Sequence, residues 1–93
     1  MATSKIYLNP QAYGIGRQLK DLPQLDDANN ATQTGFYATS STTLNRPDNG
    51  GGSTAMLNVA RGSYVFQFWF VFDGNKIYRR SKGEGTWTAW TEI

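Results

Sequence analysis

The chain contains no cysteine and no histidine. The first absence excludes disulfides and thiol chemistry. The two together exclude zinc sites of the usual kind and imidazole-based acid–base catalysis. Charged residues are sparse, at 17% of the chain, and the formal net charge is only +2. That is not the field of a nucleic-acid binder. The opening MATSKIYLNPQ holds no apolar core of signal-peptide length, and the longest apolar run is too short to cross a bilayer as a helix. These features lead us to expect a soluble protein that is not secreted by a cleaved signal peptide and is not embedded in a membrane. The lack of cysteine does not by itself decide where it acts.

Aromatic residues, in contrast, make up 14% of the chain, and they concentrate in residues 64–72, YVFQFWFVF. As a strand, this run sends Tyr64, Phe66, Phe68, Phe70 and Phe72 to one face and Val65, Gln67, Trp69 and Val71 to the other. The phenylalanine face is the greasier of the two and is expected to be the core, with Phe66, Phe68 and Phe70 at its centre. The second face is also apolar, broken once by Gln67. A chain of 93 residues forms one domain. Such a domain buries roughly 60–65% of its unfolded surface around a single two-layered core. Two apolar faces on one strand therefore call for a third layer. A second copy of the chain would supply it, or the second face is a binding surface.

The remaining sequence reads as all-β and antiparallel, a small sandwich or meander with an irregular N-terminal segment. Residues 1–11 suit an arm or connector, and residues 12–93 form the domain. AYGIGR at 12–17 carries two glycines. Leu19, Leu22 and Leu25 recur every three residues, but Pro23 interrupts them, so a single turn or irregular segment should dock these leucines. Strands are expected at 35–39 (GFYAT), 55–61 (AMLNVAR), 64–72, 76–81 (KIYRRS) and within 86–93 (TWTAWTEI). Turns fall at Gly62-Ser63, Asp73-Gly74-Asn75 and 82–85 (KGEG). The polar loop at 40–54, with Pro47 and three consecutive glycines, is long enough to be functional or mobile.

Either two-residue turn within Asp73-Gly74-Asn75 sets Ile77, Arg79 and Ser81 on the phenylalanine face and Tyr78 and Arg80 beside Trp69 and Val71, whereas a three-residue loop with a bulge would break this parity. The second face thus gathers Trp69, Tyr78 and Arg80. It reads either as sheet support or as a platform for a sugar or a partner, with Asp48, Asn49 and Asn75 as a polar rim. Aromatic rings stack on the C–H faces of sugars, and Arg, Asn and Asp supply directed hydrogen bonds. Trp87 and Trp90 would point to opposite faces of an unbroken strand, unless a bulge brings both inward.

No catalytic constellation emerges. A glycosidase needs two carboxylates across a cleft. Asp26 and Asp27 are adjacent in a turn-like segment and suit turn or cap duty. Asp48 and Glu84 sit on glycine-rich loops. The Asp26–Asn30 oxygens match no EF-hand spacing, and the triple glycine lacks the Lys-Ser/Thr of a phosphate loop. The basic GNKIYRR stretch beside aromatics is a feature of single-strand nucleic-acid binders, but the total charge is too small. No cofactor or metal is expected, and the chain reads as a non-enzyme.

In order, the motifs are AYGIG, LDDANNATQTGFY, NRP followed by glycines, MLNV, an aromatic strand containing Gln, NKIYRRS and GTWTAWTEI. This ordered set resembles the C-terminal tip of tail fibres from tailed bacteriophages and prophages and is similar to the knob domain of pyocin tail fibres, over residues 12–93. The resemblance implies a β-rich knob at the end of a fibre shaft. It further implies a homotrimer in a virion, recognising a bacterial surface polysaccharide, lipopolysaccharide or outer-membrane protein. It carries over no ligand residues. A structural trimerisation or capping module and a monomeric sugar-binding module are the alternatives.

Overall fold

The computed structural model describes residues 18–48 and 52–93. The arm at 1–11, the AYGIGR segment and Asn49 lie outside the described residues. Four strands form the body of the fold: β1 (Gly35–Thr39), β2 (Thr54–Arg61), β3 (Tyr64–Val71) and β4 (Lys76–Gly83). They are hydrogen-bonded in sequence order and all antiparallel. Two short strands, β5 (Thr86–Trp87) and β6 (Thr91–Glu92), both pair with β4. The fold is all-β. Of the sandwich and meander alternatives, the single meandering sheet holds.

The turns follow from local chemistry. Gly62 opens the β2–β3 hairpin with φ 61°, and Ser63 keeps a negative φ, the sign pattern of a type II′ turn. A Cβ at Gly62 would meet nothing within 4 Å, so a side chain there costs only conformational energy. Gly62→Ala is expected to destabilise by about 1–2 kcal/mol, measurable as a lower denaturant midpoint with an unchanged slope. The β4–β5 turn is tighter than KGEG suggests. β4 continues through Gly83, and the loop is Glu84-Gly85, both at positive φ as in a type I′ turn. The β3–β4 loop spans residues 72–75, with Asn75 at φ 54°. Its even length preserves parity, so Trp69 faces Tyr78, Gln67 faces Arg80 and Phe68 faces Arg79, as expected.

The C-terminal segment answers the tryptophan question. Lys82 pairs with Trp87, but Tyr78 pairs with Glu92, so one extra residue enters between β5 and β6. Thr88 still reaches Ser81, with Thr88 N donating to Ser81 O at 2.8 Å. The extra residue is a bulge in residues 88–90. It turns Trp90 to the same side as Trp87, and both rings lie against the Arg80 guanidinium, at 4.6 and 3.8 Å.

The second layer is irregular chain. Leu25 N donates to Ala38 O and Leu44 N to Asp26 O, both at 2.8 Å, which fastens residues 24–28 between β1 and the 40–48 loop. Asp27 caps the 3-10 turn Ala28–Asn30, accepting from Asn29 N and from Asn45 Nδ2, each at 2.9 Å. Ala28 and Ala31, with the half-buried Leu25, cover Met56, Trp69, Val71 and Tyr78. A 3-10 turn at Leu19–Asp21 lies along β1, and Leu22 behind it is buried. The leucines thus dock from an irregular segment, as their interrupted spacing implies.

The core lies on the opposite face of β3 from the one its composition favours. Trp69 is 0% exposed and Val65, Gln67 and Val71 are buried, whereas Phe66 is 38% and Phe72 59% exposed. Phe68 and Phe70 are half-buried. The expected phenylalanine core is therefore the outer face. Hydrophobicity ranks the two faces of one strand, but the covering layer is fixed by where the 24–31 and 86–93 segments can reach. Those segments carry polar backbone that must be satisfied on burial. On the Gln67 face, Gln67 Nε2 donates to Ala28 O and Asn58 Nδ2 to Gln33 O.

Candidate functional site

A polar row crosses the buried face. Asn58, Gln67 and Arg80 lie side by side on β2, β3 and β4. Asn58 Nδ2 donates to Gln33 O at 3.0 Å. Gln67 Nε2 donates to Asn58 Oδ1 at 2.9 Å and to Ala28 O at 2.7 Å. Arg80 Nε donates to Gln67 Oε1, and Arg80 NH2 to Asn29 Oδ1, both at 2.8 Å. Asn58, Gln67 and Arg80 each find hydrogen-bond partners, and the row pins the covering segment to the sheet. Arg80 is 6% exposed. Burial pushes its pKa down from the usual arginine range to about 10, opposed by the attraction of Asp27, so the side chain stays charged at neutral pH. Its charge is met by the faces of Trp87 and Trp90.

Beside this row, at the β6 end of the sheet, a cavity of about 390 Å³ opens between the 46–48 loop and the bulge. Arg46, Pro47, Asp48, Tyr78, Ala89 and Trp90 line it. Trp90 Nε1 donates to Asn45 O at 2.7 Å, which holds the loop against the indole, and Trp90 meets Trp69 edge-on at 5.9 Å. Arg46 NH1 donates to Thr43 O at 3.0 Å. The Nε of Arg46 and the hydroxyl of Tyr78 are buried without hydrogen-bond partners among the described residues.

The outer face is a second feature. Across its middle run Phe36, Leu57, Phe68 and Arg79, flanked by Val59 and Phe66 on one side and Phe70 and Ile77 on the other. Phe66 and Phe68 stack at 5.2 Å. At its ends Tyr64, Phe72 and Ile93 are exposed.

The six residues singled out from sequence therefore separate. Trp69 and Arg80 lie inside, packed and hydrogen-bonded, and present no surface to a ligand. Tyr78 and Asp48 meet at the cavity. Asn75 is an exposed turn residue with a left-handed backbone and does not line the cavity, and Asn49 lies outside the described residues. Sequence reasoning did not single out Arg46 or Trp90. The NRP motif and the Trp-x-x-Trp spacing were visible signals, but only the bulge brings them together. Among the described residues no cluster of acidic side chains is placed to hold a metal ion, and no helix is long and apolar enough to cross a membrane.

Residues 15–93 match the model of the XkdV N-terminal domain family, and the chain belongs to that family. It is a phage- and prophage-related family, so the chain is a phage-associated domain of all-β fold that fits a virion component. The matched family is named for an N-terminal domain and not for a knob at a fibre tip. No curated protein and no solved structure matches the chain.

Proposed function

We propose that this domain is a non-enzymatic host-attachment domain of a phage or prophage tail fibre. In this reading it sits at the fibre tip as a homotrimer below the shaft and recognises a bacterial surface polysaccharide, lipopolysaccharide or outer-membrane component. The pyocin-knob-like placement at a C-terminal tip belongs to this proposal, since the family name carries only the coarser phage association. The observation that supports self-association is the outer sheet face. The three eight-residue strands β2, β3 and β4 and the five-residue β1, at about 3.3 Å per residue and about 4.8 Å apart, give a face on the order of 450 Å², largely apolar and interrupted on β4 by Arg79 and Ser81. That is within the range of the largest apolar patches monomers leave exposed, and two flanking copies would cover it. A purely structural capping module would share this face. The cavity lined by Tyr78, Asp48 and Trp90 favours attachment, because a cap has no use for unpaired polar groups beside an aromatic ring.

The test has two parts. Light scattering of the isolated chain should give three times its 10.4 kDa mass. Phe66→Ser with Phe72→Ser should give monomers that keep the β-sheet circular dichroism, since both rings lie outside the core. A wild-type monomer at micromolar concentration would remove the trimer. For attachment, labelled protein should adsorb to at least one strain in a panel of bacteria and block phage infection of it. Adsorption to none leaves the capping module as the better reading.

A further inference from the structure

We infer that the cavity between the 46–48 loop and the β5–β6 bulge is a saccharide subsite that holds one hexopyranose unit against Trp90. This inference deepens the attachment reading and rests on it for the source of the sugar. The cavity's own chemistry supplies the ligand class. Arg46 Nε can only donate, Asp48 ionised can only accept, and the Tyr78 hydroxyl can do either. Two of these atoms, Arg46 Nε and Tyr78 Oη, are buried without hydrogen-bond partners among the described residues, and Tyr78 is only 7% exposed. Buried polar atoms of this kind are rare, and a ligand that completes them explains their retention. The ligand must therefore accept from Arg46, donate to Asp48 and exchange a hydrogen bond with Tyr78.

A pair of sugar hydroxyls meets all three requirements, because each hydroxyl both donates and accepts. A phosphate or carboxylate would satisfy Arg46 and Tyr78 but would be repelled by Asp48, and an apolar ligand would satisfy none. The Trp90 N–H is already committed to Asn45 O, so the indole offers only its ring, the surface that takes the C–H face of a pyranose. A volume of about 390 Å³ is near the small end of ligand sites and has room for one sugar ring. Arg46 is steadied for the task by its bond to Thr43 O, and Tyr78 is held in the core cluster.

The experiment uses the full chain and a panel of methyl glycosides of glucose, galactose, mannose, rhamnose and N-acetylglucosamine, read by saturation-transfer NMR and tryptophan fluorescence. At least one should bind, and Tyr78→Phe and Asp48→Asn should each weaken it about tenfold, the scale of one lost hydrogen bond. Tyr78→Phe should leave the melting temperature unchanged or raised, since it removes an unpaired hydroxyl without changing shape. The inference is overturned if no glycoside in the panel binds, if both variants bind as wild type does, or if Tyr78→Phe melts well below wild type. Adsorption to bacteria separates the two readings. Wild type and Tyr78→Phe adsorbing equally overturns the subsite and leaves attachment standing. Glycoside binding without adsorption to any strain leaves the subsite standing and overturns attachment.

Discussion

Trp69→Ala is expected to cost about 3–5 kcal/mol, the range for removing a fully buried aromatic side chain. Trp69 is wholly enclosed by Met56, Val71, Tyr78 and the alanines of the covering segment, with Trp90 edge-on. A domain of this size has a total stability of about 5–15 kcal/mol and sits toward the lower end, so the variant should be largely unfolded near room temperature. The informative comparison is with the outer face. Phe72→Ala should change the stability of a single subunit by less than about 1 kcal/mol, since the ring is 59% exposed. Urea unfolding of both variants, followed by circular dichroism, tests the assignment of faces. If Phe72→Ala were as damaging as Trp69→Ala under conditions where the chain is monomeric, the core would lie on the phenylalanine side after all.

The second large effect concerns Arg80. Arg80→Ala is expected to cost about 2–5 kcal/mol, the scale of stranding two buried amide acceptors together with lost packing. The loss strands Gln67 Oε1 and Asn29 Oδ1, and it withdraws the cation from Trp87 and Trp90. It also frees the hold that Gln67 keeps on Ala28 O, and with it the covering layer. Arg80→Lys should recover only part of the loss, because an ammonium lacks the planar fork that reaches both Gln67 and Asn29 while its carbon centre lies over two indoles. Thermal melts of the three proteins should rank wild type above lysine above alanine. A surface binding role makes the opposite forecast: Arg80→Ala would fold normally and lose only its ligand.

Much of the architecture is legible from local pattern. The alternation in residues 54–61 and 64–71, the Gly62 turn and the parity of Tyr78 and Arg80 with Trp69 all follow from the two-residue repeat of a strand and from which residues tolerate positive φ. Asp27 at a cap follows from its short acceptor side chain. The choice between the two faces of β3 was not legible in the same way. Both are apolar, and composition ranks the phenylalanine stripe first. The site was half legible: Tyr78 and Asp48 meet at the cavity, but the Trp69 and Arg80 with which they were grouped are internal. Arg46 and Trp90 came into view only through a one-residue bulge that no local signal in TAWTE marks.

The sequence by itself determined β1 to β4 and their antiparallel meander, the turn at Gly62 and the parity that sets Tyr78 and Arg80 beside Trp69, because each depends on neighbours a few residues away. The tertiary structure decided which face became the core. That choice depends on where the irregular 24–31 segment and the broken C-terminal strand come to rest. They rest where Gln67, Asn58 and Arg80 can satisfy buried backbone and amide groups, and the penalty for leaving such groups unpaired outweighs the greater hydrophobicity of the phenylalanine stripe.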